Sequence, residues 1–235
     1  MDGSPWGMVG RNIREIEGRI AQAAVSCGRR PGDVALLGVS KTFPREAVAE
    51  AMRAGLRRFG ENRVQEAEGK APAFPPPGKP EWHLIGHLQS NKARRAVELF
   101  DVIQSVDSLK LATRISQAAE DAGKVVTVLL QADLAGEATK FGAPPEEVRA
   151  ILDAAADLRG VRIDGLMLIP PYLEDPEGVR PYFRRLRELG EALEAERPGC
   201  LGRRHLSMGM SHDFEAAVRE GATIVRVGTA IFGTR

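Results

Sequence analysis

The sequence has almost no net charge and very few cysteines, and each shortage excludes a class of protein. Its 33 basic and 32 acidic residues leave a net charge of +1, so nothing electrostatic favours nucleic acid or an anionic membrane as a partner. The two cysteines, Cys27 and Cys200, lack metal-site spacing and indicate a reducing compartment. No apolar run reaches the roughly 18 residues of a membrane span, and no signal peptide is recognisable. We therefore expect a cytoplasmic protein.

The size and composition of the chain are typical of one α/β barrel. The chain has 235 residues, of which 43% are hydrophobic and 28% charged, as in an ordinary globular domain. A chain of this size buries enough apolar surface to fold without disulfides or a structural metal. We expect a single domain over residues 1–235, with a loose amino terminus over residues 1–7.

Apolar segments of strand length alternate with longer helical patterns. Several are rich in β-branched residues and show no polar alternation, as expected for strands covered on both faces. The predicted strands are Val34–Ser40, Arg58–Gly60, Trp82–Ile85, Val102–Ser105, Val125–Gln131, Ile163–Ile169, His205–Ser207 and Ile224–Val227. The predicted helices are Arg11–Ala24, Arg45–Ala54, Asn62–Gly69, Ser90–Leu99, Ser108–Ala122, Pro144–Ala156, Pro176–Ala195 and Ser211–Glu220. This order predicts a (β/α)₈ TIM barrel with an extra N-terminal helix, although a doubly wound open sheet has the same periodicity.

Lys41 closes the first predicted strand, in the run Val34-Ala-Leu-Leu-Gly-Val-Ser-Lys41. In an α/β barrel, the carboxyl ends of the strands surround the mouth of the active site. A lysine at this position is expected to be partly desolvated, which lowers its pKa and makes the neutral amine available as a nucleophile that forms an imine. The alternative is a surface lysine that opens the next loop.

Two consecutive turns rich in Gly, Ser and Thr follow the last two strands. They are Leu206-Ser-Met-Gly-Met-Ser211 and Val225-Arg-Val-Gly-Thr229. Barrels often bind phosphate between these loops, through backbone N–H groups and a short extra helix, here Ala230–Gly233. Ser211 is expected to cap the helix after strand seven. The turns therefore predict a phosphate site, and the alternative is ordinary turn and capping chemistry.

Three further polar side chains lie at or near strand ends. Arg226 could donate to a ring nitrogen and so disfavour protonation of a pyridine, or it could form an ion pair inside the barrel. Asn62 could bond a ligand hydroxyl or cap the next helix. His83 could face the mouth or be a satisfied core histidine. Its spacing from His87, across a strand end and a turn, does not indicate a metal site.

Several motifs together resemble those of the pyridoxal phosphate homeostasis proteins, the YggS/PROSC-type family. The motifs are Leu37-Gly-Val-Ser-Lys-Thr42, Phe59-Gly-Glu-Asn-Arg-Val-Gln-Glu66, Trp82-His-Leu-Ile-Gly-His-Leu-Gln-Ser-Asn-Lys92, Gly165-Leu-Met-Leu-Ile-Pro170, Leu206-Ser-Met-Gly-Met-Ser211 and Val225-Arg-Val-Gly-Thr-Ala-Ile-Phe-Gly233. They cover nearly the whole chain in order. Each motif alone is modest, but the combination is highly specific.

The resemblance implies a barrel like the N-terminal domain of alanine racemase, with pyridoxal 5′-phosphate (PLP) as its cofactor. By similarity, Lys41 would form the internal aldimine, Arg226 would face the pyridine nitrogen, and Asn62 would lie near the ring. The phosphate would be held by Ser207, the backbone around Met208, Gly228 and Thr229. Lys140 matches a second family lysine near the mouth. Its surroundings, Ala138-Thr-Lys-Phe-Gly142, depart from the usual family pattern of Asn-Ser-Lys-x-Gly.

The resemblance further implies a monomeric carrier for intracellular PLP homeostasis. Such a protein holds PLP, supplies it to PLP-dependent apo-enzymes and affects amino-acid and keto-acid pools indirectly, without robust catalysis. One alternative is a PLP-dependent amino-acid racemase, which needs an acid/base group on each face of the substrate imine. Tyr172, after strand six, is the tyrosine that could approach the mouth. A third reading is an unrelated phosphate-binding barrel without an imine.

Overall fold

Eight parallel strands close into a barrel in the computed structural model, which describes residues 6–136 and 141–234. The strands follow each other around the barrel in sequence order, and the last pairs with the first. They are β1 (Ala35–Val39), β2 (Arg58–Glu61), β3 (Glu81–Leu84), β4 (Val102–Val106), β5 (Val126–Gln131), β6 (Val161–Met167), β7 (His205–Ser207) and β8 (Ile224–Val227). Closure confirms the predicted (β/α)₈ barrel and excludes the open sheet.

Helices cover the outside of the barrel between the strands. They are α1 (Val9–Ser26), α2 (Arg45–Arg53), α3 (Val64–Glu68), α4 (Ala93–Leu99), α5 (Leu109–Asp121), α6 (Pro145–Asp153), α7 (Arg180–Glu196), α8 (Phe214–Arg219) and α9 (Thr229–Phe232). The extra helix α1 buries an apolar face that includes Ile13, Ile16 and Ile20 against α2, α8 and α9, since these positions share one side of a helix. Within the described ranges, no helix is long and apolar enough to cross a membrane.

The core has two parts, one outside and one inside the strand cylinder. The outer part fills the space between strands and helices and includes Trp82, Phe59 and Phe183, each fully buried. The inner part consists of Leu37, Val39, Ile85, Leu129, Met167 and Ile224. Side chains along a strand alternate between its two faces, so alternate residues such as Leu37 and Val39 point inward. The barrel interior is therefore packed rather than an open pore.

Most predicted boundaries differ from the structure by a few residues, and three of these differences have a local reason. Strand β6 spans Val161–Met167 rather than Ile163–Ile169, because its pairing with β5 already begins at Val161. Helix α7 begins at Arg180 rather than Pro176, because Asp175 holds a separate turn: its side chain accepts from the N–H of Glu177. Helix α8 begins at Phe214, so Ser211 is not its cap as predicted.

The amino terminus is only partly described. Residues 1–5 of the segment predicted to be loose lie outside the described residues. The ring of Trp6 is half-buried and packs edge-on against Phe43, with ring centroids 5.8 Å apart. Phe43 in turn contacts Phe232 in α9, with centroids 5.2 Å apart. Trp6 therefore packs over the start of the loop that leads from β1 to α2.

Candidate functional site

Most of the predicted site residues meet at the carboxyl edge of the barrel. A methyl group on Gly228 would lie 3.2 Å from the carbonyl oxygen of Val39, so the turn after β8 lies against the end of β1, two residues before Lys41. A methyl group on Gly86 would lie 2.3 Å from the carbonyl oxygen of Asn62, so only glycine lets the turn after β3 approach the one after β2. Lys140 lies outside the described residues.

Lys41 lies in a tight turn just beyond β1. The N–H of Phe43 donates to the carbonyl of Ser40 at 3.0 Å and closes the turn. Thr42 adopts a φ of 72°, a left-handed conformation that is strained for a β-branched residue. Lys41 itself is exposed, so the predicted partial desolvation is wrong: the turn carries the residue past the barrel wall into solvent.

A polar cluster, formed by the buried Glu61 and Lys70 and the half-buried Glu66, lies behind this turn. The hydroxyl of Ser40 donates to Glu61 Oε1 at 2.6 Å, and Lys70 Nζ donates to the same oxygen at 2.8 Å. Lys70 also donates to the carbonyl of Ser40 at 2.7 Å, while Glu66 Oε2 accepts from the N–H of Thr42 at 2.7 Å. The cluster therefore holds the backbone on both sides of Lys41.

Glu61 is the most perturbed acid of this cluster. Burial raises its pKa from an ordinary 4.5 to about 7, against the opposing hydrogen bonds from Lys70 and Ser40. Its second oxygen, Oε2, is buried and has no hydrogen-bond partner among the described residues. Desolvation disfavours the carboxylate more than its two donors favour it, so Glu61 exchanges a proton near neutral pH beside the Lys41 turn.

The turns after β7 and β8 are joined to each other. The N–H of Gly228 donates to Ser211 Oγ at 3.2 Å, which is the role that Ser211 has in place of capping α8. The N–H of Arg226 donates to the carbonyl of Gly209 at 2.9 Å. Gly209 has a φ of 91°, and a methyl group there would lie 2.6 Å from Ala217 Cβ, so this position requires glycine.

These joined turns leave backbone donors available. The N–H groups of Gly209, Thr229 and Ala230 have no hydrogen-bond partner in the part of the chain that the structure describes. The N–H of Met208, by contrast, donates to the carbonyl of Ile224 at 3.1 Å. Unpaired N–H groups beside one another are a suitable site for an anion, and Thr229 is exposed where it can add its hydroxyl.

Arg226 and Ser207 lie deeper, inside the barrel. Arg226 is 3% exposed, and its guanidinium donates to Ser207 Oγ at 2.8 Å and to the carbonyl of Leu168 at 2.8 Å. Burial lowers its pKa to about 10, an effect that the charge of Asp213 partly offsets. Among the described residues no carboxylate lies within 4.0 Å of it, so the predicted alternative, an ion pair, is wrong.

Two other residues considered from the sequence have simple placements. His83 is buried inside the barrel and bonded on both ring nitrogens, to Glu81 and Gln104, which confirms a satisfied core histidine. Tyr172 is 74% exposed, and its ring lies against that of His212 with centroids 5.4 Å apart. Tyr172 is therefore a residue of the rim, not of the barrel interior.

Sequence reasoning missed four polar residues of this region: Glu61, Glu66, Lys70 and Gln104. Glu61 and Gln104 are fully buried within strands. Their signal was a charged or amide side chain inside a strand predicted to be covered on both faces, because such a group is stable only with buried partners. Glu66 lies within the short helix α3 and Lys70 follows it, and neither carried a comparable signal.

Comparisons with known proteins agree with one another. The family model described as alanine racemase, N-terminal domain, matches residues 16–235. The pyridoxal phosphate homeostasis protein of Aquifex aeolicus is 46% identical, over 92% of this chain and 94% of that protein. Its counterpart from Pseudomonas aeruginosa is 45% identical, over 97% of this chain and 96% of that protein.

Solved structures show the same relationship. PipY of Synechococcus elongatus, solved with PLP bound, is 43% identical, with a TM-score of 0.80 over 91% of this chain and 100% of that chain. Alanine racemase from Bartonella henselae is 14% identical, with a TM-score of 0.69, over 96% of this chain and 58% of that chain. This last likeness shows a common fold alone.

Proposed function

This chain belongs to the family of pyridoxal phosphate homeostasis proteins, and we propose that it binds PLP through Lys41 and serves PLP homeostasis. The observation that carries the proposal is geometric. Lys41 lies at the same edge of the barrel as two joined turns with unpaired N–H groups. The relative PipY, solved with PLP bound, supports the same assignment.

The residues present fit each part of the cofactor. The unpaired N–H groups of Gly209, Thr229 and Ala230 suit a phosphate, with Gly228 allowing close approach to the end of β1. Lys41 presents an exposed primary amine. When bound, PLP supplies an aldehyde that condenses with such an amine and releases water. Asn62, half-buried at the end of β2, is assigned to the ring.

Arg226 suits the ring nitrogen of a stored cofactor. A guanidinium donates hydrogen bonds and cannot accept them, so a ring nitrogen facing Arg226 acts as an acceptor and stays unprotonated. A neutral pyridine is a weaker electron sink than the protonated ring of enzymes that use an acid at this position. This arrangement favours holding PLP over breaking bonds of a substrate.

The observations do not favour the racemase alternative. Racemisation needs an acid/base group on each face of the bound substrate, and Tyr172 lies exposed at the rim with its ring against His212. This chain covers 94–97% of the length of pyridoxal phosphate homeostasis proteins that are 41–46% identical to it. We assign the chain to the carrier class.

Three finer statements belong to the same proposal. The protein passes PLP to PLP-dependent apo-enzymes, which indirectly affects amino-acid and keto-acid pools. It acts in the cytoplasm, in keeping with Cys27 and Cys200 as free thiols. It works as a monomer, built as one domain. The exposed position of Lys41 supports transfer, since an amine in contact with solvent is open to water and to competing amines.

The test compares delivery with turnover. The PLP-loaded protein is mixed with a purified PLP-dependent apo-enzyme, and recovery of that enzyme's activity is followed with and without a scavenger of free PLP. In parallel, exchange of the α-proton of amino acids is measured in D₂O. We expect activation that survives the scavenger and no exchange above that of free PLP. Exchange well above free PLP, without delivery, would establish the racemase alternative.

A further inference from the structure

A chain of hydrogen bonds crosses the inside of the barrel, from Arg226 to the amino-terminal end. Arg226 donates to Ser207 Oγ at 2.8 Å, and that hydroxyl donates to Gln104 Oε1 at 2.6 Å. Gln104 Nε2 lies 2.8 Å from His83 Nδ1, and His83 Nε2 lies 2.6 Å from Glu81 Oε1. Glu81 is the first residue of β3. This hydrogen-bond chain therefore connects four strands of the barrel.

The two ends of the hydrogen-bond chain, together with the orientation of the Gln104 amide, fix the direction of every bond in it. A guanidinium only donates and a carboxylate only accepts. Arg226 uses one lone pair of Ser207, so the hydroxyl hydrogen is free to point to Gln104 Oε1. The amide nitrogen of Gln104 then donates to Nδ1 of His83, which leaves the ring hydrogen on Nε2, toward Glu81. The hydrogen bond from His83 also holds the pKa of Glu81 below its ordinary range.

This hydrogen-bond chain runs through the part of the barrel interior where the inner apolar cluster lies. Ser207, Gln104 and His83 are at most 1% exposed, among the inward-facing Leu37, Val39, Ile85, Leu129, Met167 and Ile224. Buried polar groups are costly unless each has its partner, and apolar residues of similar size are often as stabilising. A complete chain, in contrast, fixes one arrangement of its members. The hydrogen-bond chain therefore holds each of its side chains in one orientation.

The hydrogen-bond chain ends at Glu81, which is accessible to solvent at the base of the barrel. Glu81 lines a cavity of about 230 Å³ at the base of the barrel, together with His83 and Arg58. The side chain of Glu81 is 43% exposed, and Arg58 lies 3.5 Å from it. Solvent and a counter-charge thus keep Glu81 ionised, while the opposite end of the chain stays buried.

We propose that Gln104, held in one orientation by His83 and Glu81, is a positioning residue that sets Ser207 and Arg226 for the ring nitrogen of PLP. The inference deepens the proposed function and rests on it. Its immediate consequence concerns Ser207, predicted from the resemblance to hold the phosphate. Its hydroxyl hydrogen is committed to Gln104, so Ser207 supports Arg226, and the phosphate is left to the backbone donors and Thr229.

The test replaces Gln104 by methionine, which has a similar shape and no amide. The matched control is Ser105→Ala, since Ser105 is the next residue, equally buried, and its hydroxyl has no partner among the described residues. Gln104→Met leaves the Ser207 hydroxyl and His83 Nδ1 each without the Gln104 amide as a partner. We therefore expect this variant to bind PLP about tenfold more weakly, and Ser105→Ala to change the affinity less than about twofold. Equal affinities for the two variants would overturn the proposal.

A second readout uses the protein without PLP. In ¹⁵N-labelled protein, the side-chain signals of Arg226 report its hydrogen bonds through their chemical shifts and their exchange with water. We expect Gln104→Met to shift these signals and accelerate their exchange, and Ser105→Ala to leave them in place. Unchanged Arg226 signals in Gln104→Met would contradict a positioning role, even where PLP affinity falls.

A pair of His83 variants keeps the proposal falsifiable if Gln104→Met fails to fold. The amide oxygen of His83→Asn lies near the place of Nδ1 and can accept from Gln104, whereas His83→Leu cannot. We expect His83→Asn to retain most of the PLP affinity and His83→Leu to lose about tenfold. Equal affinity of the two would overturn the role of the chain.

The same experiments separate this inference from the function on which it rests. If the wild-type protein develops no PLP absorption band that borohydride bleaches, the proposed function fails. If wild type shows the band and the variant pairs do not differ, only the positioning role of Gln104 fails.

Discussion

Glu66 holds the backbone of Thr42, through a hydrogen bond of 2.7 Å from the Thr42 N–H to Glu66 Oε2. Thr42 follows Lys41 and has a φ of 72°, a conformation that costs a β-branched residue free energy and persists only where its surroundings enforce it. Glu66, from α3, is one such constraint. The direction in which Lys41 presents its amine therefore depends on a neighbouring helix.

Removing the Glu66 carboxylate is predicted to weaken PLP binding. Glu66→Ala leaves the Thr42 N–H without its acceptor, and a hydrogen bond to a charged group contributes about 1.5–3 kcal/mol, so we expect roughly tenfold weaker binding. Glu66→Gln keeps an acceptor oxygen and should lose less. Gln65→Ala, on the exposed side of the same helix, is the control. PLP titrations of all three distinguish these results, and equal affinities would count against the constraint.

Glu61 is predicted to make stability depend on pH. Its pKa is raised from 4.5 to about 7 in the folded protein, so between these values the folded state holds a proton that the unfolded chain has released. The contribution to stability is complete below pH 4.5 and is lost as the pH rises to 7. Urea unfolding of wild type and Glu61→Gln measures it.

The wild-type free energy of unfolding should fall more than that of Glu61→Gln over this pH range. The upper limit of the difference is about 3 kcal/mol, from 1.36 kcal/mol per pKa unit. The hydrogen bonds from Lys70 and Ser40 to Glu61 persist in the carboxylate form and oppose the shift. Parallel pH profiles for the two proteins would show that Glu61 does not carry the effect.

Gly209 is predicted to tolerate no side chain. Both Gly209 and Gly28 have positive φ values, 91° and 75°, but a methyl group meets Ala217 at 2.6 Å in the first and open space in the second. Gly28→Ala should cost only the left-handed conformation, about 1–2 kcal/mol. Gly209→Ala should cost a further ~1–3 kcal/mol for the overlap and also weaken PLP binding. Chemical unfolding of both variants tests the difference, and equal costs would contradict it.

Ser211 is predicted to act through the turn after β8. Ser211→Ala removes the acceptor of the Gly228 N–H, so the two turns are no longer joined there. We expect PLP binding to weaken about five- to tenfold, with little change in the onset of α8, because Ser211 does not cap that helix. Ser26→Ala removes a hydroxyl that bonds only its own helix end, and it should bind PLP as wild type does.

The sequence predicted the barrel well, because strand–helix alternation and strand order follow from local patterns. Lys41 and the turns around Gly209 and Gly228 were predicted to lie together for the same reason, since each follows a strand end and all strand ends of a barrel share one edge. The exposure of Lys41 was missed. It depends on the tight turn at Thr42, which in turn depends on Glu66 from another element.

The polar interior could not be derived from local patterns. Gln104 and Ser207 are 103 positions apart in sequence, and no local pattern in either strand indicates that their side chains are hydrogen-bonded. The same holds for Ser211, whose hydroxyl matches a helix cap locally but bonds Gly228 in the next turn. Local propensity favoured the cap, and tertiary contact decided otherwise. Pairings between distant strands need the closed barrel before they can be seen.

The central claim is that Lys41 is the residue that holds PLP, and covalent trapping tests it most directly. The protein is incubated with PLP, reduced with borohydride, digested and examined by mass spectrometry, alongside Lys41→Ala and the control Lys92→Ala, which removes a half-buried lysine. We predict a pyridoxyl group on Lys41 in wild type and in Lys92→Ala, and none at the site in Lys41→Ala. An unlabelled Lys41 in the wild type, or undiminished labelling of Lys41→Ala, would contradict the account.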